Sequence, residues 1–104
     1  MKFGDYITEA NDRVAKTILA QIKALDRWAL QAWGAKTFVS FKDGVQFDVR
    51  GSKFRGRVVI KLDKSRDLYN IEFGTIQNFE WKVRKQLKGI GVENLVMVLD
   101  DFIG

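Results

Sequence analysis

A cluster of basic residues around one aromatic ring is the segment of this sequence best suited to bind a charged macromolecule. Its members are Arg50, Lys53, Phe54, Arg55 and Arg57. Guanidinium and ammonium groups neutralise phosphates, and an aromatic ring among them can stack on a nucleic-acid base. The same pattern also suits a solvated loop in which the phenylalanine folds back onto the core. We take this cluster as the first candidate for macromolecule binding.

A second basic stretch lies in the last predicted strand. Lys82 and Arg84 alternate with apolar residues there, so we expect them to share the solvent-facing side of a sheet with Lys61. An RNA-binding sheet would also expose aromatic rings on that side. The alternation predicts none, because the aromatic residues of the last two strands fall on the other side. The alternative is an ordinary solvated face with cross-strand partners such as Glu72.

The segment Glu80-Trp81-Lys82 has the spacing found in some metal-dependent nucleases. Such a site needs clustered carboxylates to hold Mg²⁺ and a lysine to polarise the attacking water. If the last two strands pair as a hairpin, Glu72 would lie opposite Glu80 and supply a second carboxylate. Charges alternating along a solvated strand produce this spacing by chance, so a nuclease is the least favoured hypothesis.

The chain lacks the side chains on which many enzymes depend. Its 104 residues include no His and no Cys, and its net charge is +5. A Ser-His-Asp triad, a thiolate nucleophile and the commonest metal ligand are therefore excluded. The sequence also contains no glycine-rich nucleotide loop. We expect a protein that is not an enzyme and that has no catalytic residues, no cofactor and no metal.

The hydrophobic pattern predicts a protein that does not enter a membrane. The longest apolar run, residues 95–99, is far shorter than the roughly 20 residues that span a bilayer. Lys2 is followed by Phe3, Gly4 and Asp5 rather than by the apolar stretch of a signal peptide. A domain without disulfides suits a reducing compartment, so we expect a cytoplasmic location.

Helical periodicity appears at both ends of the chain. Apolar residues recur every three or four positions from Ile7 to Leu25, with Asp5 or Thr8 as the predicted cap and with Asp12 on the solvated face. A short second helix is predicted between Asp26 and Gly34. Residues 92–103 follow the same helical period, although their β-branched residues leave a terminal strand as the alternative.

Between these helices the apolar period changes to two, which indicates strands. The apolar positions predict five strands, centred on residues 39–41, 45–49, 58–62, 69–73 and 79–83. We expect Phe41 to lie opposite Val45 across a three-residue loop, with Gly44 in the left-handed conformation. The last two strands are predicted to join through a turn around residues 74–78.

These elements predict a single α+β domain over residues 1–104. An N-terminal helix and a short second helix precede a five-stranded antiparallel meander, and a C-terminal helix follows it. A sheet with one apolar face must be covered, so the helices are expected to pack on that face. The opposite face is expected to be solvated.

Four segments resemble a family of small phage, plasmid and integrative-element proteins of uncharacterised function. They are residues 17–22 (TILAQI), 34–39 (GAKTFV), 59–62 (VIKL) and 67–74 (DLYNIEFG). In that family a T-I-L-x-Q-L helix precedes a G-A-K-x-F-V strand, and V-K-I-T-L and D-x-Y-x-V-E-F-G strands follow. The resemblance covers roughly residues 17–84. It implies a mobile-element accessory protein and identifies no catalytic residue.

These observations favour a non-catalytic mobile-element accessory protein that binds another macromolecule. The favoured partner is a host-encoded or element-encoded protein, such as a component of host defence or replication. The alternative is a DNA- or RNA-binding module that uses the basic loop at residues 50–57. A meander also leaves two sheet edges, so a homodimer through one edge is a further possibility.

Overall fold

The computed structural model describes residues 9–104, with side chains from Asp12 onward. Residues 1–8, which include Ile7 and the predicted caps, lie outside the described part. The predicted α+β architecture is confirmed. The elements are α1 (Glu9–Leu25), α2 (Ala29–Ala32), β1 (Lys36–Phe41), β2 (Gly44–Arg50), β3 (Arg55–Asp63), β4 (Leu68–Gln77), β5 (Glu80–Ile90), a 3-10 turn (Val92–Asn94) and α3 (Leu95–Ile103).

The five strands form one antiparallel meander in which neighbours in the chain are neighbours in the sheet. The helices cover one face, and we call the other the open face. Alternate residues of the central strands enter the core with the helices, as the two-residue period predicts. The largest fully buried side chains include Trp33, Phe47, Phe73, Ile18, Ile60 and Leu99. In the described part of the chain, no helix is long and apolar enough to cross a membrane.

Helix α1 packs on the sheet through predicted apolar positions, with two corrections. Ile18 and Ile22 are fully buried, whereas Leu25 is half-exposed. Asp12, which was expected to be solvated, is only 4% exposed, and its Oδ2 atom lies 3.4 Å from the Lys16 ammonium. The prediction was wrong because Asp12 is close to the apolar stripe and has a cation one turn away to accompany its burial.

Helices α2 and α3 are tied together by a hydrogen bond. The indole Nε1–H of the buried Trp33 donates to Asp100 Oδ1 at 3.0 Å. Gly34 has a φ of +62° and ends the α2 segment, as predicted. Residues 95–103 are helical, so the helix is confirmed and the alternative strand is wrong. The deciding feature is the four-residue spacing of Leu95, Leu99 and Ile103, all of which are fully buried.

The β1–β2 turn is shorter than predicted, and this changes which side of β1 faces the core. Phe41 pairs with Gly44 and Ser40 pairs with Val45, so the connecting loop has two residues rather than three. Gly44 is not among the glycines with positive φ. It is needed for another reason, because a Cβ atom there would collide with the carbonyl oxygen of Ile60.

The shorter turn places Val39 and Phe41 on the open face, in register with Gln46 and Gly44. Phe38 instead lies on the core side, where its ring centroid is 5.4 Å from that of Phe47. The assignment of Val39 and Phe41 to the core was therefore wrong. The alternation of apolar residues identifies an edge strand but does not show which side of the strand faces the core. The length of the preceding or following turn decides that.

Strand β5 contains a bulge that reverses its predicted faces. Phe73 pairs with Lys85, but the next residue, Gly74, pairs with Val83, so Arg84 is an extra residue in β5. Beyond this bulge the odd-numbered residues lie on the open face. Trp81 and Val83 were expected in the core and lie on the open face instead.

Candidate functional site

A groove of about 610 Å³ runs across the open face, and we call it the open-face groove. Three basic residues line it, namely Arg57, Lys61 and Lys88, together with the aromatic rings of Phe41 and Trp81. Both rings reach this face only because of the short β1–β2 turn and the β5 bulge. The prediction that no aromatic ring lies on this face was therefore wrong.

Trp81 is held in a fixed position within the groove. Its indole Nε1–H donates to Glu72 Oε1 at 3.3 Å, and Gln86 Nε2 donates to the other oxygen, Oε2, at 3.1 Å. Its ring lies over Gly74, where an added Cβ would be only 2.7 Å from the indole Cζ2 and Cη2 atoms. The glycine and the carboxylate together hold the ring against the sheet.

The charges in the groove differ in their surroundings. Arg57 Nε donates to Asp48 Oδ1 at 3.0 Å, and both side chains are about one-third exposed. Lys61 Nζ lies 5.6 Å from the centroid of the Phe41 ring, within the range of a cation–π interaction. Lys61 and Lys88 are exposed, so their charges are available to a ligand.

The first candidate cluster, within residues 50–57, has two parts. Residues 51–54 form a loop that contacts α3, which we call the docked loop, and exposed arginines lie at the ends of the two flanking strands. The backbone N–H groups of Lys53 and Phe54 donate to the Ile103 carbonyl at 3.0 and 3.2 Å, and Lys53 Nζ donates to the Asp101 carbonyl at 3.3 Å. These donors satisfy carbonyls at the end of α3, and a cation there also complements the helix dipole. The loop thus has a structural role.

Phe54 packs into the core, which was the alternative that the sequence left open. Its ring centroid lies 5.0 Å from that of Phe102 and 5.8 Å from that of Phe73. A ring in that position is not exposed for base stacking. Arg50 and Arg55 lie opposite each other in the backbone register at the ends of β2 and β3, and both side chains are exposed.

Lys82 does not share a face with Lys61, and that prediction was wrong. Arg84 is the bulged residue, and Lys82 pairs with Thr75 on the surface opposite the groove. Lys82 Nζ lies 2.9 Å from Glu80 Oε2. Both basic side chains are exposed.

The carboxylates expected for a nuclease are not brought together. Glu72 pairs with Gln86, whereas Glu80 pairs with Gln77 at the end of the hairpin. The predicted pairing of Glu72 with Glu80 was wrong because β4 extends to Gln77 and β5 has a bulge. In the part of the chain that the structure describes, no group of three acidic side chains could hold a metal ion.

The end of the β4–β5 hairpin, residues 75–84, forms what we call the hairpin arm. Its turn consists of Asn78 and Phe79, with φ values of +52° and +67°, as a two-residue hairpin turn of type I′ requires. Phe79 is fully exposed at 102% of its reference area, and Ile76 and Val83 are 54% and 49% exposed. The predicted turn around residues 74–78 was placed too early.

Comparison of the chain with protein-family models, curated proteins and solved structures found no match. The resemblance to phage and plasmid proteins therefore stays a prediction. The residues of the segment that resembles the D-x-Y-x-V-E-F-G strand, residues 67–74, lie in two different environments in this structure. Tyr69 and Phe73 are buried in the core, while Glu72 and Gly74 hold the Trp81 ring.

Proposed function

We propose that this protein is a non-catalytic binding protein that docks onto another protein through its hairpin arm. The observation that carries the proposal is the Phe79 side chain, which is fully exposed at the tip of the arm in a left-handed backbone conformation. Phe79 inserts into an apolar pocket of the partner, and the rest of the arm surrounds that contact.

Phe79 contributes little to the stability of its own fold. A left-handed conformation costs a residue with a side chain about 1–2 kcal/mol relative to the right-handed one. A fully exposed ring gains nothing from burial to offset this strain. Strained residues of this kind are concentrated at sites of function. A large aromatic ring at this position is therefore better explained by binding than by folding.

The surroundings of Phe79 have the composition of a protein interface. Ile76 and Val83 add exposed apolar surface to the arm. Interfaces are typically anchored by a few aromatic side chains that fill pockets of the partner and are enclosed by a polar rim. The arm supplies an anchor and an apolar margin in one protruding segment, without any rearrangement of the core.

The charge of the arm indicates the chemistry of the partner. Lys82, Arg84 and Lys85 are exposed on and beside it, and Glu80 is the one acidic residue between Thr75 and Lys85. A partner with an acidic surface around its apolar pocket would therefore associate fastest, because complementary charges steer the encounter. The resemblance to mobile-element proteins supports a host-encoded or element-encoded protein as that partner.

Affinity purification from the cells that naturally make the protein tests this proposal. The wild-type chain is compared with Phe79→Gly, which removes the ring and relieves the backbone strain. Met97→Ala is the matched control, because Met97 is an exposed apolar residue (62%) on α3, outside the arm. We expect the same protein to be enriched by the wild type and by Met97→Ala but not by Phe79→Gly.

Two results would overturn the proposal. One is equal recovery of every enriched protein by Phe79→Gly and by the wild type. The other is turnover of a substrate by the purified wild-type protein, which would show that the protein is an enzyme. Circular dichroism of both variants confirms that they are folded.

A further inference from the structure

We propose that the open-face groove is a binding site for single-stranded nucleic acid. This site is separate from the docked loop at residues 51–54, and it shares Ile76 and Trp81 with the hairpin arm but not Phe79. Three kinds of group in the groove support it, namely basic side chains, aromatic rings and side-chain amides.

The basic groups provide attraction for a phosphate backbone. Lys61 and Lys88 line the groove with exposed ammonium groups, whereas the Arg57 guanidinium is paired with Asp48, and Glu72 is the one acidic lining residue. The Glu72 carboxylate already accepts hydrogen bonds from Trp81 and Gln86, which disperse its charge. The groove therefore presents an excess of positive charge to an incoming strand.

Trp81 provides a platform on which a base can stack. The ring lies against Gly74 through its Cζ2 and Cη2 atoms, and it also lines the groove. The hydrogen bond to Glu72 fixes the ring before any ligand arrives, so little conformational freedom is lost on binding. Phe41 supplies a second ring on the far edge strand.

The aromatic rings favour a single strand over a duplex. Bases in a duplex are stacked on one another and their flat faces are covered, whereas bases of a single strand are free to stack on protein side chains. The groove crosses all five strands, which are about 4.8 Å apart, so it accommodates a segment of several nucleotides.

The amides of the groove supply hydrogen bonds for base edges. Gln46, Asn70 and Gln86 all line it. Asn70 Oδ1 accepts a hydrogen bond from the Gly89 backbone N–H at 3.1 Å, which fixes the orientation of the amide and leaves its NH₂ group to donate. Amide groups can both donate and accept, so they match the mixed edges of unpaired bases.

The test is fluorescence anisotropy of a labelled single-stranded DNA of about 12 nucleotides, a length within the known range of site sizes. Two phosphate contacts, from Lys61 and Lys88, predict that affinity falls about 7-fold between roughly 50 and 200 mM salt. Lys61→Gln and Lys88→Gln should each lower the slope of log affinity against log salt by about 0.7. Trp81→Leu should weaken binding about 5- to 150-fold, and Trp81→Phe much less.

Lys85→Gln is the matched control, because Lys85 is an exposed lysine of the same strand that pairs with Phe73 on the opposite surface. It should leave the affinity within about twofold, since it lies outside the groove. Equal losses in Lys85→Gln and Lys88→Gln would show non-specific charge attraction and would overturn the proposal. Absence of binding at low salt, or tighter binding of the matching duplex, would also overturn it.

The two proposals fail separately. Phe79→Gly should leave affinity for the oligonucleotide unchanged, because Phe79 does not line the groove. Lys88→Gln should in turn leave recovery of the protein partner unchanged, because Lys88 lies outside the hairpin arm.

Discussion

At the level of single residues, Phe79 occupies a backbone conformation that glycine adopts without strain. We expect Phe79→Gly to stabilise the protein by roughly 0.5–1 kcal/mol, because the relief of strain exceeds the added freedom of glycine in the unfolded chain. Phe79→Ala keeps the strain and should change the free energy of unfolding by less than about 0.5 kcal/mol. Urea denaturation measures both. A loss above this in Phe79→Ala would show that the ring packs on the fold.

Tyr69 links stability to pH. Burial raises the pKa of its phenol above the usual value, partly opposed by its hydrogen bond to Gln21 and reinforced by the charge of Asp67. Because the pKa is higher in the folded state, the stabilisation is complete below about pH 10 and is lost as the pH rises further.

Comparison with Tyr69→Phe isolates this effect from the titration of lysines. The variant loses the hydrogen bond to Gln21, so it should be less stable by about 1 kcal/mol near pH 8. The difference should shrink as the pH rises above about 10, since only the wild type can form the unfavourable buried phenolate. Urea midpoints at several pH values measure this. A difference that stays constant would contradict the assignment.

At the level of elements, the loop between β2 and β3 serves α3 rather than a ligand. Phe54→Ala should cost about 3 kcal/mol, the low end for phenylalanine, because the ring is only partly buried. Arg55→Gln, one residue along, should change stability by less than about 0.5 kcal/mol. Chemical denaturation of the two variants compares them directly. A small loss in Phe54→Ala would contradict the structural role of the loop.

The element pattern could be predicted because each strand and helix has a clear apolar period. Ile18 and Ile22 in α1, and Ile71 and Phe73 in β4, are buried as expected. The faces of the two edge strands could not be predicted in this way. The β1–β2 turn is one residue shorter than predicted, and β5 has one extra residue at Arg84. Each of these reverses which side chains of its strand face the core, and neither changes the alternation of apolar and polar residues in the sequence.

The candidate sites were harder to predict than the fold for the same reason. The groove depends on the positions of Phe41 and Trp81, which follow from those two irregularities. Of the original candidates in residues 50–57, Arg57 lines the groove, whereas Lys53 and Phe54 are engaged in the fold. Asn78 was a usable signal, since asparagine is favoured in the left-handed positions of hairpin turns.

At the level of the whole molecule, the structure of the edge strand β5 bears on the predicted homodimer. Strand β5 is a long edge strand, but it is interrupted by bulges and carries Lys82, Lys85 and Lys88. Bulges and lysines are features that oppose pairing of edge strands between molecules. A homodimer through this edge stays a prediction, and these features weigh against it.

The molecule thus presents two different surfaces, the open-face groove across the sheet and the hairpin arm at the end of β4 and β5. The open-face groove combines positive charge with fixed aromatic rings, and the arm beyond it ends in an exposed apolar anchor. The central claim is that this anchor contacts a protein. Site-specific photo-crosslinking tests it directly, with a benzophenone amino acid placed at position 79 or, as the control, at position 97.

After irradiation of the cells that make the protein, we expect one discrete protein adduct from position 79 and none of that size from position 97. A benzophenone at the tip of the arm would lie within the partner's pocket, whereas Met97 lies on α3 away from the arm. Equal adducts from both positions, or crosslinks from position 79 to nucleic acid alone, would contradict the role of Phe79 as a protein-binding anchor.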